Sequence, residues 1–240
     1  EGQEPARAAG KSGITFARQR LGAGPLEEVY GQCRPQASEG TPGAFYKKLR
    51  LVSVDGSALA VPDTAANRAG FGKPKSSRGE AAFPILRFAA LVETGTHLMF
   101  AAAMDRYSTG ESTIAARLLP RIERGMLLLV DRLYGSYAFL HQAATTGAHL
   151  LARTRNNALL PVETVLADGS YLSHLYASSK ARRHQLGGLA VRVIEYRVQP
   201  SGETFRLLTT LLDPNFAPAA QLAALYPQRW EHEGVYDELK

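Results

Sequence analysis

Apolar and polar positions alternate along this chain in blocks, and each block closes on turn-forming residues. LRLVSVDGS, residues 49–57, is β-branched and apolar and ends in Asp55-Gly56, which predicts a strand. ILRFAALVET (85–94) and HLMFAAAMD (97–105) predict a strand pair, with a tight turn at Gly95-Thr96. The run MLLLVDRLYGS (126–136) is short and continuously apolar up to Asp131, as in a strand buried on both faces. HLLARTR (149–155) reads as a further strand. Helical patterns fall at 111–119, with Ser108 or Thr109 as the cap, and at 137–147, ending at Gly147.

The flanks differ in character. Residues 1–13 are polar and Gly/Ala-rich and are expected to be disordered, and 14–35 suggest one or two short helices broken at Gly22–Gly24. Residues 36–44 are a linker by composition, and 61–81 are loop-like, with Arg68, Lys73, Lys75 and Arg78. Residues 160–212 are β-like, with turn signals at Asp168-Gly169, Gly187-Gly188 and Ser201-Gly202, and predict a mostly antiparallel insertion. From Pro218 the pattern turns helical.

Composition narrows the class. With 240 residues, 45% hydrophobic and 21% charged, the chain suits one large globular domain or one carrying an insertion. The net charge of +6 suits a polyanionic partner without requiring one. Cys33 is the only cysteine, so neither an intrachain disulfide nor a cysteine zinc site is available, and a reducing cytoplasm fits. His97, His149, His174, His184 and His232 have no zinc spacing. No apolar run approaches the ~18 residues of a membrane helix, so no membrane partner is expected. The first residues lack an apolar signal core and an initiator Met, so a fragment or processed piece is expected.

Two aspartates share one setting. Asp55 and Asp131 each follow a buried-strand pattern and precede a turn, a rigid place from which to present a metal ligand. Turn preference alone explains either one; the pair of matching contexts favours chemistry. In YPQRWEHEGVYDELK (226–240), Tyr226, Arg229, Glu233 and Lys240 fall within an arc of about 60° if the segment is α-helical. Asp237 lies close to that arc as a rival carboxylate, whereas Glu231 and Glu238 point away. A solvated face with an Arg229–Glu233 pair is the plainer alternative. An aromatic residue and two cations around one acid fit phosphate contact better.

These residues resemble a known family: the DDE transposases of the insertion element 4 family, in the form common in actinobacteria. The family's C-terminal signature (Tyr, two residues, Arg, three, Glu, six, Lys) is matched by Tyr226, Arg229, Glu233 and Lys240. VDGS (54–57) and LLVDRLYGS (128–136) match the settings of its two aspartates. RLGAGPLEEVY (20–30), DTAANRAGFGKP (63–74) and LPVETVLADGSYLS (160–173) also look similar, so the likeness spans roughly 14–240. Leu133 stands where the family often has glycine, so the turn after Asp131 is expected to differ.

The resemblance implies an α/β fold: a ribonuclease H-like mixed five-stranded sheet flanked by helices, with a β-rich insertion before the last catalytic helix. The implied layout is a helical remnant plus linker at 14–44, the core at 45–158, the insertion at 159–215 and a truncated catalytic helix at 216–240. It implies a transposase that cleaves DNA and transfers strands at insertion-sequence ends. Asp55, Asp131 and Glu233 would be catalytic and would hold two ions, Mg²⁺ or Mn²⁺, with Asp55 bridging. Hard oxygen ligands suit those metals. Arg229 and Lys240 would hold phosphates, Tyr226 would contact backbone or base, Trp230 could stack on a base, and Arg153 and Arg155 could flank the path. The partners are double-stranded DNA, as transposon ends and target, and a second copy on DNA when the protein is complete. The location is the bacterial cytoplasm at the nucleoid. Because the chain stops at Lys240, it is expected to fold but not to transpose alone. The alternatives are an inactive remnant that at most binds DNA, or a ribonuclease H-like nuclease.

Overall fold

In the computed structural model the described residues are 10–77, 79–155, 157–198, 202–230 and 235–236. The chain divides into two compact units, residues 1–34 and 35–240. The first contains α1 (Lys11–Leu21) and α2 (Gly24–Gly31), separated at Gly22, which takes a left-handed conformation with φ of +67°. Helix α1 thus starts three residues before Ile14, where the apolar pattern begins.

The second unit is built on one ten-stranded, mostly antiparallel sheet. Its strands are β1 (Leu49–Ala60), β2 (Ile85–Glu93), β3 (Leu98–Arg106), β4 (Met126–Val130), β5 (His149–Arg153), β6 (Thr164–Val165), β7 (Tyr171–Leu175), β8 (Leu189–Val198) and β9 (Glu203–Thr209). They lie in the order β3-β2-β1-β4-β5-β9-β8-β7-β6, and the tenth strand, Phe45–Tyr46, folds back on the start of β1. Only the β1–β4 and β4–β5 pairs are parallel. The helices are α3 (Ala65–Phe71), α4 (Glu111–Ala116), α5 (Tyr137–Thr145), α6 (Ser179–Arg183) and α7 (Ala219–Leu225).

The first five strands in sequence lie side by side in the order β3-β2-β1-β4-β5. The β-rich insertion does not form a separate sheet, however. Its last strand, β9, pairs antiparallel with β5, placing Leu207 opposite Arg153 and Thr209 opposite Leu151. Without β9 the open edge of β5 would leave backbone donors and acceptors unpaired, and a neighbouring β segment is the direct way to cover it. The basic run Lys180, Arg182, Arg183 lies on α6, which Ser178 caps by accepting from the Ala181 N–H.

Alternation along the central strands sorts residues to two faces. Leu51 on β1, Leu127 and Leu129 on β4 and Leu151 on β5 pack with Leu222, Leu225 and Tyr226 of α7 and the turn after it. Burial of each such leucine contributes about 1.5–3 kcal/mol. The opposite face carries α4, packed against β1 and β2, and α5, packed against β5. At the end of β2, the buried Glu93 carboxylate accepts from the Gln36 and Ala37 N–H groups and from Thr96, and pairs with Arg50. This fixes the segment leading into β1.

Candidate active site

Asp55 and Asp131 continue the rows of the core. On β1 the residues Leu51, Ser53 and Asp55 share a face; on β4, Leu127 and Leu129 precede Asp131 on the same face. Because β1 and β4 are parallel and in register, Ser53 lies beside Leu129 and Val54 beside Val130. The two carboxylates therefore sit side by side where the β1–β4 pairing ends, on the side of α7; the turn expected after Asp55 is absent, because β1 runs on through it to Ala60, paired there with β2. Asp131 stays partly exposed and accepts from the Arg132 N–H, which starts the 3-10 turn Arg132–Tyr134. Leu133, on that turn, is exposed.

Asp55 is more enclosed. Its carboxylate accepts from the Gly56 N–H at 2.9 Å and from Arg229 Nη1 at 3.2 Å. Burial pushes its pKa up from 3.8 to about 6. The Gly56 bond and the Arg229 charge oppose that rise, and the negative charges of Glu111 and Asp131 add to it. A carboxylate raised by burial and by like charges is short of positive charge, and the donors present are hard oxygens. This fits a divalent cation. Among the described residues no group of three acidic, histidine or cysteine side chains gathers as a complete ligand set.

The segment after α7 differs from the expected continuous α-helix. Tyr226–Trp230 is a 3-10 turn. With three residues per turn, Tyr226 and Arg229 still share a face, and both are buried, while Trp230 is 46% exposed. Tyr226 donates to the Val130 carbonyl at 3.2 Å, so its hydroxyl is engaged within the protein just before Asp131. Burial raises the pKa of that hydroxyl above the usual tyrosine value, so it stays protonated. Arg229 has one buried N–H group, at Nε, without a hydrogen-bond partner among the described residues.

These side chains line one cleft of about 700 Å³, together with Asp131, Arg132, Leu133, Arg153, Arg155 and Asn157. Arg153, the last residue of β5, is held by Glu203 at 2.6 Å and lies over the Phe205 ring at 3.7 Å. Arg155 is exposed. Of the residues singled out from the sequence, the structure thus brings together Asp55, Asp131, Tyr226, Arg229, Trp230, Arg153 and Arg155. Glu233 and Lys240 lie outside the described residues, as do Glu231, Asp237 and Glu238.

Two further groups border the site without having been singled out. Glu111, at the start of α4, packs beneath Gly56 and accepts from the fully buried Tyr134 hydroxyl at 2.5 Å. A Cβ on residue 56 would lie 2.3 Å from the Glu111 carboxyl carbon, so this approach requires glycine. Glu111 thereby joins the strand carrying Asp55 to the turn following Asp131. An acid opening the helix after the β2–β3 hairpin was the only available signal. Tyr236 donates to the Asp55 carbonyl at 2.7 Å and packs edge-on against Phe88.

Two carboxylates side by side on adjacent parallel strands, a buried arginine and a rim of further cations on a mixed sheet flanked by helices define a class: an acidic centre ringed by positive charge. The chain belongs to the transposase DDE domain family, whose sequence model matches residues 46–240. It is 29% identical over 232 residues to "Transposase InsG for insertion sequence element IS4" of Escherichia coli (strain K12), covering 95% of this chain and 52% of that protein. It is 27% identical over 198 residues to "Putative transposase InsZ" of the same organism, covering 80% of this chain and 64% of that protein. The chain therefore spans only about half to two thirds of these relatives.

Proposed function

We propose that this chain is the catalytic region of a transposase that cleaves DNA at the ends of an insertion sequence and joins them to a target. The observation that carries the reading is the placement of Asp55 and Asp131 side by side where the parallel pairing of β1 and β4 ends, on one face, with Asp131 and Arg229, the partner of Asp55, lining the cleft of Arg153 and Arg155. The strand order β3-β2-β1-β4-β5 supports the finer reading of a ribonuclease H-like core extended by the insertion strands.

In this reading Asp55, Asp131 and Glu233 hold two divalent ions, Mg²⁺ or Mn²⁺, which neutralise charge on the reacting phosphate and activate the attacking oxygen. The chain's own residues do the rest. Arg229 keeps the Asp55 carboxylate oriented and offers an N–H to a phosphate. Arg153 and Arg155 hold the strand beside the cut, as cations positioned for phosphate do. Trp230 presents an exposed ring face on which a base can stack. Tyr226 acts from inside the protein, fixing the end of β4. Lys240 is assigned a phosphate. The complete protein works as a homodimer on DNA, in the bacterial cytoplasm at the nucleoid. No helix among the described residues is long and apolar enough to cross a membrane.

The test uses supercoiled plasmid and oligonucleotides with free 3′-OH ends, with and without Mg²⁺. Metal-dependent nicking and strand joining are expected. Asp55→Asn, Asp131→Asn and Glu233→Gln should each lower both by on the order of 10²-fold, the usual cost of losing one essential electrostatic contact. Nicking without joining would assign a nuclease, and retained cleavage in any variant would remove that residue from the site.

A further inference from the structure

The loop joining β1 to β2 builds a second basic cleft that the catalytic reading does not use. Its volume is about 660 Å³, and its lining includes Arg68, Lys73, Lys75, Arg87, Arg106 and Tyr107. No described lining residue is acidic. Two carboxylates border it. Asp63 binds both Arg68, at 2.8 Å, and Lys73, at 2.9 Å, so two cations share one negative charge. Glu80 stands 3.9 Å from Lys75, whose side chain remains 80% exposed. Arg87 is fixed without a carboxylate: it donates to the Thr109 carbonyl and lies over the Tyr107 ring at 4.5 Å. Arg106 is exposed, and its guanidinium has no ion pair among the described residues. The five lining cations thus have two carboxylates paired among them; Asp105, opposite Arg87 in register, is taken by Arg117, so a surplus of positive charge remains.

The position of this surplus relative to the catalytic carboxylates is fixed by strand register. Asp55 pairs with Ala90, Ser57 with Phe88 and Leu59 with Leu86, and Leu86 pairs in turn with Arg106. These residues form one row on the Asp55 face. From Ala90 to Leu86 the row covers four residues, about 13 Å at 3.3 Å per residue. Duplex DNA carries one phosphate charge per ~1.7 Å of its axis. A duplex engaged at Asp55 and passing over this row, where Tyr236 packs on the buried Phe88, would bring about seven or eight phosphate charges over that length, toward a cleft that is short of anions.

We infer that the cleft of Arg68, Lys73, Lys75, Arg87 and Arg106 binds the phosphate backbone of the DNA duplex flanking the cut. The inference rests on the DNA-cleaving reading of the Asp55 site and adds a second contact surface to it. Lys75 and Arg106 supply the mobile charge. Arg87, held flat on Tyr107, supplies a fixed one. The Asp63 bridge holds Arg68 and Lys73 in place at the cleft wall.

The experiment measures binding of the 240-residue chain to a labelled 30-base-pair duplex by fluorescence anisotropy across a series of salt concentrations. Each phosphate contact contributes about 0.9 to the slope of log K against log salt. Lys75→Gln should lower the slope by about one unit, and Lys75→Gln with Arg106→Gln by about two. Arg124→Gln, at the opposite end of the sheet just before β4, should leave it unchanged. Lys75 is exposed and outside the core, so an effect of its single variant cannot be ascribed to unfolding. If the wild type binds with a salt-dependent slope that the Lys75 and Arg106 variants share, the cleft is not a DNA surface, while the DNA reading stands. If the wild type shows no salt-dependent binding, the DNA reading fails and takes this inference with it.

Discussion

Replacing Asp55 with asparagine should stabilise the metal-free protein while abolishing its chemistry. The carboxylate is held at about 6 instead of 3.8, chiefly because burial disfavours its charge. Between those two values the folded state binds the proton more tightly than the unfolded state, so stability falls as pH rises through that window. Above it, the ionised side chain carries the full difference. About two pH units at 1.36 kcal/mol each give about 3 kcal/mol. The Asp55 side chain is only 19% exposed, so solvent screening removes little of this. Asparagine gives up the charged bond to Arg229, and the net gain expected is about 1–3 kcal/mol at pH 7.5. Urea unfolding of both proteins with a chelator, at pH 7.5 and at pH 4, measures it, and the advantage should vanish at pH 4. Adding Mg²⁺ at ten times its dissociation constant should stabilise the wild type by about 1.4 kcal/mol and the variant by much less. A variant less stable than wild type at pH 7.5, or a difference independent of pH, would refute the assignment of a strained, charge-deficient site to Asp55.

Substitutions at four other positions probe the supports of β1 and β4. Glu93→Ala, which leaves Arg50 and two backbone N–H groups without their buried acceptor, should cost about 3–5 kcal/mol in urea unfolding. Glu93 has its own pH dependence: burial tends to raise its pKa, but bonds from Thr96, Gln36, Ala37 and Arg50 outweigh it and hold the group low. Its contribution is therefore present above the unfolded value near 4.5 and is lost as pH falls through the lower folded value, which acid unfolding of wild type against Glu93→Gln should display. Gly56→Ala forces a methyl onto the Glu111 carboxyl group and should lower stability by about 1–3 kcal/mol, with Glu111→Ala partly restoring it, as thermal unfolding of the single and double variants would show. Tyr226→Phe removes a buried bond to the Val130 carbonyl; it should cost about 1 kcal/mol and leave the salt slope of DNA binding unchanged, whereas a drop of one unit would return Tyr226 to a phosphate-contacting role.

The side-by-side placement of Asp55 and Asp131 was legible because the signal is local, an apolar run that meets a carboxylate; the turn read after Asp55 was not, since β1 continues to Ala60 along β2. The same reading predicted the strands around them. What stayed hidden depends on contacts far apart in sequence. The 226–229 spacing put an aromatic and a cation on one face, but the chain does not state which face meets the sheet. Leu222 and Leu225 pull that face inward, so Tyr226 is buried instead of offered to DNA. Glu111 gave no sign beyond its place at the start of a helix, since its partners Gly56 and Tyr134 lie far from it and from each other in sequence. Whether the insertion stands apart or extends the sheet turns on which edge is left open, and β5 supplies that edge only after the parallel strands have assembled.

The site is aimed by the same leucines that hold the fold together. Leu51–Ser53–Asp55, Leu127–Leu129–Asp131 and Leu151–Arg153 are three rows that begin in the core against α7 and reach charged side chains bordering the site. Burial of the leucines sets the register of each row, because a slip of one residue would send every apolar side chain to the wrong face. In β1 that slip would direct Gly56 toward Arg229 and push the Asp55 carboxylate into the space that Glu111 fills beneath the strand. The core thus specifies the direction of the carboxylates, and the glycine after Asp55 lets α4 approach closely enough to lock that direction from behind. Asp55 itself takes no part in this hold. Burial of its carboxylate opposes stability, and the Gly56 N–H and the Arg229 charge only partly offset that cost.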